Sequence, residues 1–185
     1  MAKNALQVDT WVWGTETIIW GFDPAHQYTF KVLAPKRGRD GCLSLQYHHE
    51  KSESWLQYRG TSWALLVIDG EVCTRLLRPG SLQNIPTGTI HRLMGVTDDC
   101  MVLEPSTPDK HAADKSVPKD VVRLHCTLGR EVSAPRNDVE KSIIDRAIEV
   151  TEEACRAIAQ GQMPKEYNLD KLLGISGFEL PTNAA

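Results

Sequence analysis

No apolar run approaches the ~20 residues that a bilayer-crossing helix needs, which excludes a transmembrane helix. The opening Met1-Ala-Lys-Asn-Ala-Leu-Gln-Val-Asp9 lacks the apolar stretch of a secretory leader. Basic residues number 21 against 24 acidic ones, a net charge of −3, so the chain has no cationic excess to attract nucleic acid. Five cysteines (Cys42, Cys73, Cys100, Cys126 and Cys155) are odd in number and include no C-x-x-C pair. That argues against a thiolate zinc site or a redox dithiol, and the thiols are expected to be reduced and packed as small apolar groups. There is no internal repeat. The 185 residues suit one domain with a sizeable core, and a cytoplasmic protein acting on a small molecule is expected.

Between Trp11 and about Leu128 the chain is a series of short β-forming runs broken by turns. Strands are predicted at 17–20, 28–33, 42–48, 54–58, 63–68, 72–77, 81–85, 90–94, 100–104 and 120–124. Asp69-Gly70 marks a tight hairpin between two of them. This regular spacing favours an antiparallel barrel or jelly roll over a βαβ sheet. Residues 105–119, polar and rich in proline, read as a surface loop. After Pro135 the apolar period becomes helical: Val139, Ile143, Ala147, Ile148, Ala154, Cys155 and Ile158. Asn137 and Glu140 form a capping signal and Gly161 a stop, so a helix is predicted over 137–160, with a shorter one near 169–173. The expected division is a barrel over residues 1–130 and a helical extension over 131–185, packed on the barrel or on a dimer partner.

Two donor-bearing segments stand out within the barrel. On an extended strand Gln46 and His48 share one face, and Tyr47 and His49 the other. Glu53 follows after a turn, and His91 stands just beyond the Pro86-Thr-Gly88 turn at the entry of another strand. Gln46, His48, Glu53 and His91 are therefore the candidate ligands of one divalent first-row ion: zinc, manganese, iron, cobalt or nickel. Alternation favours His48 over His49. Such a set leaves coordination open for water or substrate, as a catalytic site does.

The run Gly80, Pro86, Gly88, His91 fits the cupin pattern G-x5-P-x-G-x-x-H. Gln46, His48, Glu53 and Gly60 fit the companion motif H-x-H-x4-E-x6-G with glutamine for the first histidine. Gly95 stands where many cupins carry asparagine. More closely, Leu43-Ser-Leu-Gln-Tyr-His-His-Glu-Lys-Ser-Glu-Ser-Trp55, Ile85-Pro-Thr-Gly-Thr-Ile-His-Arg-Leu93, Asp120-Val-Val-Arg123 and Leu128-Gly-Arg130 resemble the cupin domain of type II mannose-6-phosphate isomerases. Lys51 and Ser54 stand where that family has arginine and histidine. The resemblance implies a mainly β fold, a double-stranded β-helix (the cupin jelly-roll barrel), here with a C-terminal α-helical extension.

It also implies a metal-dependent isomerase of a sugar or sugar phosphate, in which the ion polarises the C1/C2 oxygens. Lys51 and Glu53 are the candidate catalytic residues. Glu53 acts through the ion, and Lys51 is a base if its pKa is depressed, or else an anion clamp or a solvated loop lysine. Trp55 and Arg130 are the candidate substrate-binding residues, Arg130 alternatively serving a structural salt bridge. Arg92 is expected to point away from the site and pair with an acid. Two histidines and a carboxylate also suit a non-haem iron dioxygenase, a lyase or an epimerase, and a non-catalytic ligand-binding barrel is the third reading. Exposed barrel strands and an amphipathic tail predict a homodimer.

Overall fold

The computed structural model describes residues 6–21, 26–108, 110–175 and 177–179. The leader reading of residues 1–5 lies outside them. Strands β1 (Gln7–Trp11), β2 (Gly14–Trp20) and β3 (Thr29–Pro35) open the chain. β4 (Leu45–His48), β5 (Glu53–Arg59), β6 (Ser62–Ile68), β7 (Glu71–Leu77), β8 (Ser81–Ile85), β9 (His91–Gly95), β10 (Met101–Ser106) and β11 (Val121–His125) follow. The C-terminal part holds α2 (Asp138–Ala159), α3 (Leu169–Ile175) and β12 (Gly177–Glu179), after a single-turn α1 (Lys110–Ala113). One sheet has the order β1-β2-β3-β10-β5-β8-β12 and the other β11-β4-β9-β6-β7, with every named pair antiparallel. From β3 onward the chain winds back and forth between the two sheets, which gives a jelly-roll barrel.

The sequence of β6, Ser-Trp-Ala-Leu-Leu-Val-Ile, explains why an apolar run can lie in an antiparallel sheet. Ala64 and Leu66 face the barrel interior with Trp55, Leu93 and Val102, whereas Trp63 and Leu65 face a second core with Ala147, Val150, Ala154 and Ile158 of α2. Both faces are covered, so alternation is lost. The β6–β7 turn has Asp69 and Gly70 both at positive φ (51° and 78°), the conformation that a two-residue hairpin of this twist demands. Gly95 is required for another reason: a Cβ there would stand 2.2 Å from the Lys36 carbonyl oxygen.

Helix α2 matches the predicted span. Asn137 accepts a hydrogen bond from the Glu140 amide at 2.9 Å, while the Glu140 carboxylate reaches one residue further back, to the Arg136 amide. The C-terminal extension is knitted into the barrel: Leu172 is fully buried in the inner core and β12 pairs with β8. Sequence periodicity did not reveal β1 or β12. Both are short edge strands with little apolar alternation, defined by their neighbours. The predicted loop at 105–119 also needs correction, because its first two residues complete β10 and residues 110–113 form α1. No described helix is long and apolar enough to cross a membrane.

Candidate metal centre

Residues His48, Glu53 and His91 sit at the end of β4, the start of β5 and the start of β9. The turn carrying Pro86 and Gly88 is pinned to β4 by the Gly88 amide, which donates to the His48 carbonyl at 2.9 Å. Gln46 lies opposite His91 in the β4–β9 register, so the inward face of β4 and the start of β9 share one wall. Each of the three side chains offers a ligand atom within 4.8 Å of the others, and all three are buried. His91 Nε2 stands 3.4 Å from Glu53 Oε1, and His48 Nε2 stands 3.8 Å from Glu53 Oε2. The two imidazoles stack at 5.5 Å.

The chemistry of this set fits a cation. His91 Nδ1 lies 2.8 Å from the Thr89 carbonyl, so it carries the proton and leaves the Nε2 lone pair free. Asp120 faces His48 Nδ1 at 3.3 Å and accepts hydrogen bonds from the Glu50 and Lys51 amides. His48 Nε2 and His91 Nε2 are buried with no hydrogen-bond partner, the pattern of groups that await an ion. Burial, and then the charge of Lys51, pushes His48 down to about 4. Burial lowers His91 as well. Burial works against Glu53 as an anion, but Lys51 and the two histidines outweigh it and hold its carboxyl at about 2. Near neutral pH the three are therefore two neutral imidazoles and one carboxylate, the protonation states that bind a divalent ion.

Gln46, the fourth predicted ligand, is half-buried on the same cavity wall. His49 is exposed, edge-on to Tyr47 and away from the cluster. Trp55 is buried, lines the cavity and meets His91 edge-on at 5.6 Å. Arg130 also lines the cavity and makes no salt bridge among the described residues. Arg92 points away from the site but, contrary to expectation, makes no ion pair among the described residues: it is fully buried and donates to Thr151 Oγ1 and the His125 carbonyl.

Lys51 requires the largest revision. It is buried, its ammonium pairing with the Glu53 carboxylate and donating to Glu104 Oε1 at 3.0 Å. Burial alone would strip its proton, but Glu104 and Glu53 together reverse that and raise its pKa. A lysine held charged in this way is no base. Glu104 was missed by sequence reasoning, because a lone glutamate in a strand has no local signature. Burial first, and then the charge of Glu53, holds its carboxyl above the usual range.

The cluster opens on a cavity of about 740 Å³, a size suited to a small-molecule ligand. Trp13, Lys31, Lys51, Glu104 and Arg123 also line it. Smaller, shallower clefts elsewhere carry no comparable donor set among the described residues.

No protein-family model matches the chain, and no curated protein matches it. Solved structures do. The capsular polysaccharide assembling protein CapF from Staphylococcus aureus aligns at 18% identity and TM-score 0.51, over 67% of this chain and 33% of that one. CapF bound to the inhibitor 3-isopropenyl-tropolone aligns at 19% and 0.50, over 65% and 34%. The chain thus spans about a third of the length of these neighbours. Together with the winding of the strands, this likeness defines the fold as the jelly-roll barrel of the cupins.

Proposed function

We propose that this chain is a metal-dependent enzyme of cupin fold that isomerises a sugar or sugar derivative. The observation that carries the reading is the buried His48–Glu53–His91 cluster at the wall of a 740 Å³ cavity, beside a Lys51–Glu104 pair. His48, Glu53 and His91 would hold a divalent ion, with Gln46 on the same wall. Bound there, the ion supplies Lewis-acid polarisation of the substrate oxygens.

Aldose–ketose interconversion then needs a base that takes a proton from the carbon beside the carbonyl and returns it to the neighbouring carbon. Glu104 suits this task, because burial and then the charge of Glu53 hold its carboxyl above the usual range, which makes it a stronger base than an ordinary carboxylate. Lys51 keeps its own proton and holds Glu104 in place by its hydrogen bond. The edge of the Trp55 ring bounds the cavity beside His91 and excludes water there.

Metal analysis of the purified protein, followed by NMR assay of mannose 6-phosphate and fructose 6-phosphate interconversion, tests the proposal. Turnover that needs the ion and falls at least about a hundredfold in Glu104→Gln supports it. Tightly held iron with oxygen uptake would move the assignment to a dioxygenase. A metal-loaded protein that turns over neither sugar overturns the isomerase reading.

A further inference from the structure

Two thiols that the ion site leaves unused meet where α2 packs on the barrel. Cys42 follows the short helical turn Gly38–Gly41, and its backbone pairs with that of Met94 in β9. Cys155 comes from α2, and its Sγ stands 3.6 Å from the Met94 Sδ. The two cysteines are 0% and 5% exposed and belong to one core. Helix and turn are fixed to each other on both sides of Cys155. One helical turn before it, Glu152 pairs with the Arg39 guanidinium; one turn after it, the Ile158 carbonyl accepts from Arg37 at 3.0 Å. The fit between them is close, since a Cβ on Gly38 would stand 3.3 Å from Ile158 Cγ2.

The surroundings differ from those of an inert buried thiol. Arg92 is fully buried with its Nε unpartnered, and its charge reaches Cys42, as does that of Arg39. Glu152, the acid on the facing helix, is taken up by Arg39. The adjoining Cys155 thiol, and then the charge of Arg92, outweigh burial and bring Cys42 down to about 6. Cys42, and after it burial, raises Cys155. A thiolate and a thiol therefore stand side by side near neutral pH. Burial pushes the isolated thiols Cys73 and Cys100 up instead. A cleft of about 400 Å³, lined by Cys155 with Arg37, Arg39 and Arg156, gives a small solute access to the pair.

We propose that Cys42 and Cys155 are a redox-active pair that a peroxide converts to a disulfide joining α2 to the barrel. Peroxide in the cleft meets Cys155 first. The Cys155 sulfur attacks one peroxide oxygen while its proton passes to the Cys42 thiolate. The O–O bond breaks, Cys155 becomes a sulfenic acid, and the departing hydroxide takes a solvent proton to form water. The Cys42 sulfur then attacks the Cys155 sulfur. The S–S bond forms, the S–O bond breaks, and the leaving hydroxide takes the Cys42 proton as a second water. In sum the two thiol groups give up two electrons, and peroxide is reduced to two waters.

The test treats the reduced full chain with equimolar hydrogen peroxide at pH 7, alkylates the remaining thiols before unfolding, and maps tryptic peptides by mass spectrometry. A linked Cys42–Cys155 peptide should form at least about tenfold faster than Cys73 or Cys100 is oxidised, and should disappear with dithiothreitol. The bridge closes a long loop, so the oxidised chain should keep its circular dichroism and unfold at a higher urea concentration than the reduced one. Cys42→Ser removes the thiolate that takes the proton, and loss of the Cys155 thiol should then slow at least about tenfold. No Cys42–Cys155 link, a link through Cys126 instead, oxidation no faster than that of Cys73 and Cys100, or a lower urea midpoint after oxidation overturns the proposal. These four readings come from the wild-type chain and stand whether or not the variant folds.

Discussion

Replacing Lys51 by methionine preserves the bulk of its stem and deletes its charge. In the metal-free protein this removes the cation that touches both Glu53 and Glu104, 6% and 5% exposed, and leaves Lys31, opposite Glu104 in the β3–β10 register, acting on Glu104 from a neighbouring strand. Removing one partner from a buried ion pair typically costs about 3–5 kcal/mol, because the stranded charge cannot recover its hydration. Lys51→Met in chelator-treated protein should therefore lose about that much stability at pH 7, measured by urea unfolding with linear extrapolation.

Three responses follow from the same geometry. The stranded Glu104 has a folded pKa above its unfolded value, so its contribution is favourable below the unfolded pKa and is lost as pH rises. The deficit should accordingly shrink as pH is lowered toward 5. Adding Glu104→Gln to Lys51→Met should recover part of the loss, giving a coupling of roughly 1–3 kcal/mol in a double-mutant cycle. A divalent ion replaces the missing charge and should restore the variant more than it stabilises the parent. A deficit below about 1 kcal/mol at pH 7, or one that Glu104→Gln leaves unchanged, would refute the account of Lys51 as the charge that holds the two carboxylates together.

Five further outcomes are expected. His48→Ala and His91→Ala should each abolish stoichiometric metal binding while retaining the far-UV circular dichroism of a β-rich fold, and retention of the ion in either variant would remove that histidine from the site. A histidine of ordinary pKa would lose metal affinity about 25-fold between pH 7 and 5, whereas His48, neutral down to about 4, should account for less than about a twofold loss in a chelator competition titration. The same depression means that the unfolded chain binds a proton between about pH 6.5 and 4 that folded His48 does not, so metal-free stability should fall as pH drops through that window. Asn137→Ala should cost about 1 kcal/mol through loss of the α2 cap, and an unchanged denaturation midpoint would show that another group satisfies the Glu140 amide. The edge strand β1 carries exposed Val8 and Trp11, and light scattering should give twice the 20.7 kDa chain mass if that edge is covered by a second copy.

Local chemistry made much of the barrel legible. β-branched and aromatic runs between Gly, Pro and Asp-Gly turns specify strands and hairpins from residues a few positions apart, and 3.6-residue periodicity with an Asn137 cap specifies α2. The two-residue alternation of β4 was enough to direct His48 inward and His49 outward. Strands β1 and β12 escaped because their hydrogen bonds come from β2 and β8 rather than from any pattern of their own.

Spacing alone could name the donors His48, Glu53 and His91, because motif spacing preserves which turns carry them. It could not assign charge. Lys51 is a protonated clamp rather than a base because β10 brings Glu104 to within 3.0 Å of it, 53 residues along the chain. Which groups form and where they sit along a strand is short-range and readable from sequence. What protonation state each adopts depends on burial and on neighbours distant in the chain, and only the folded barrel brings those together.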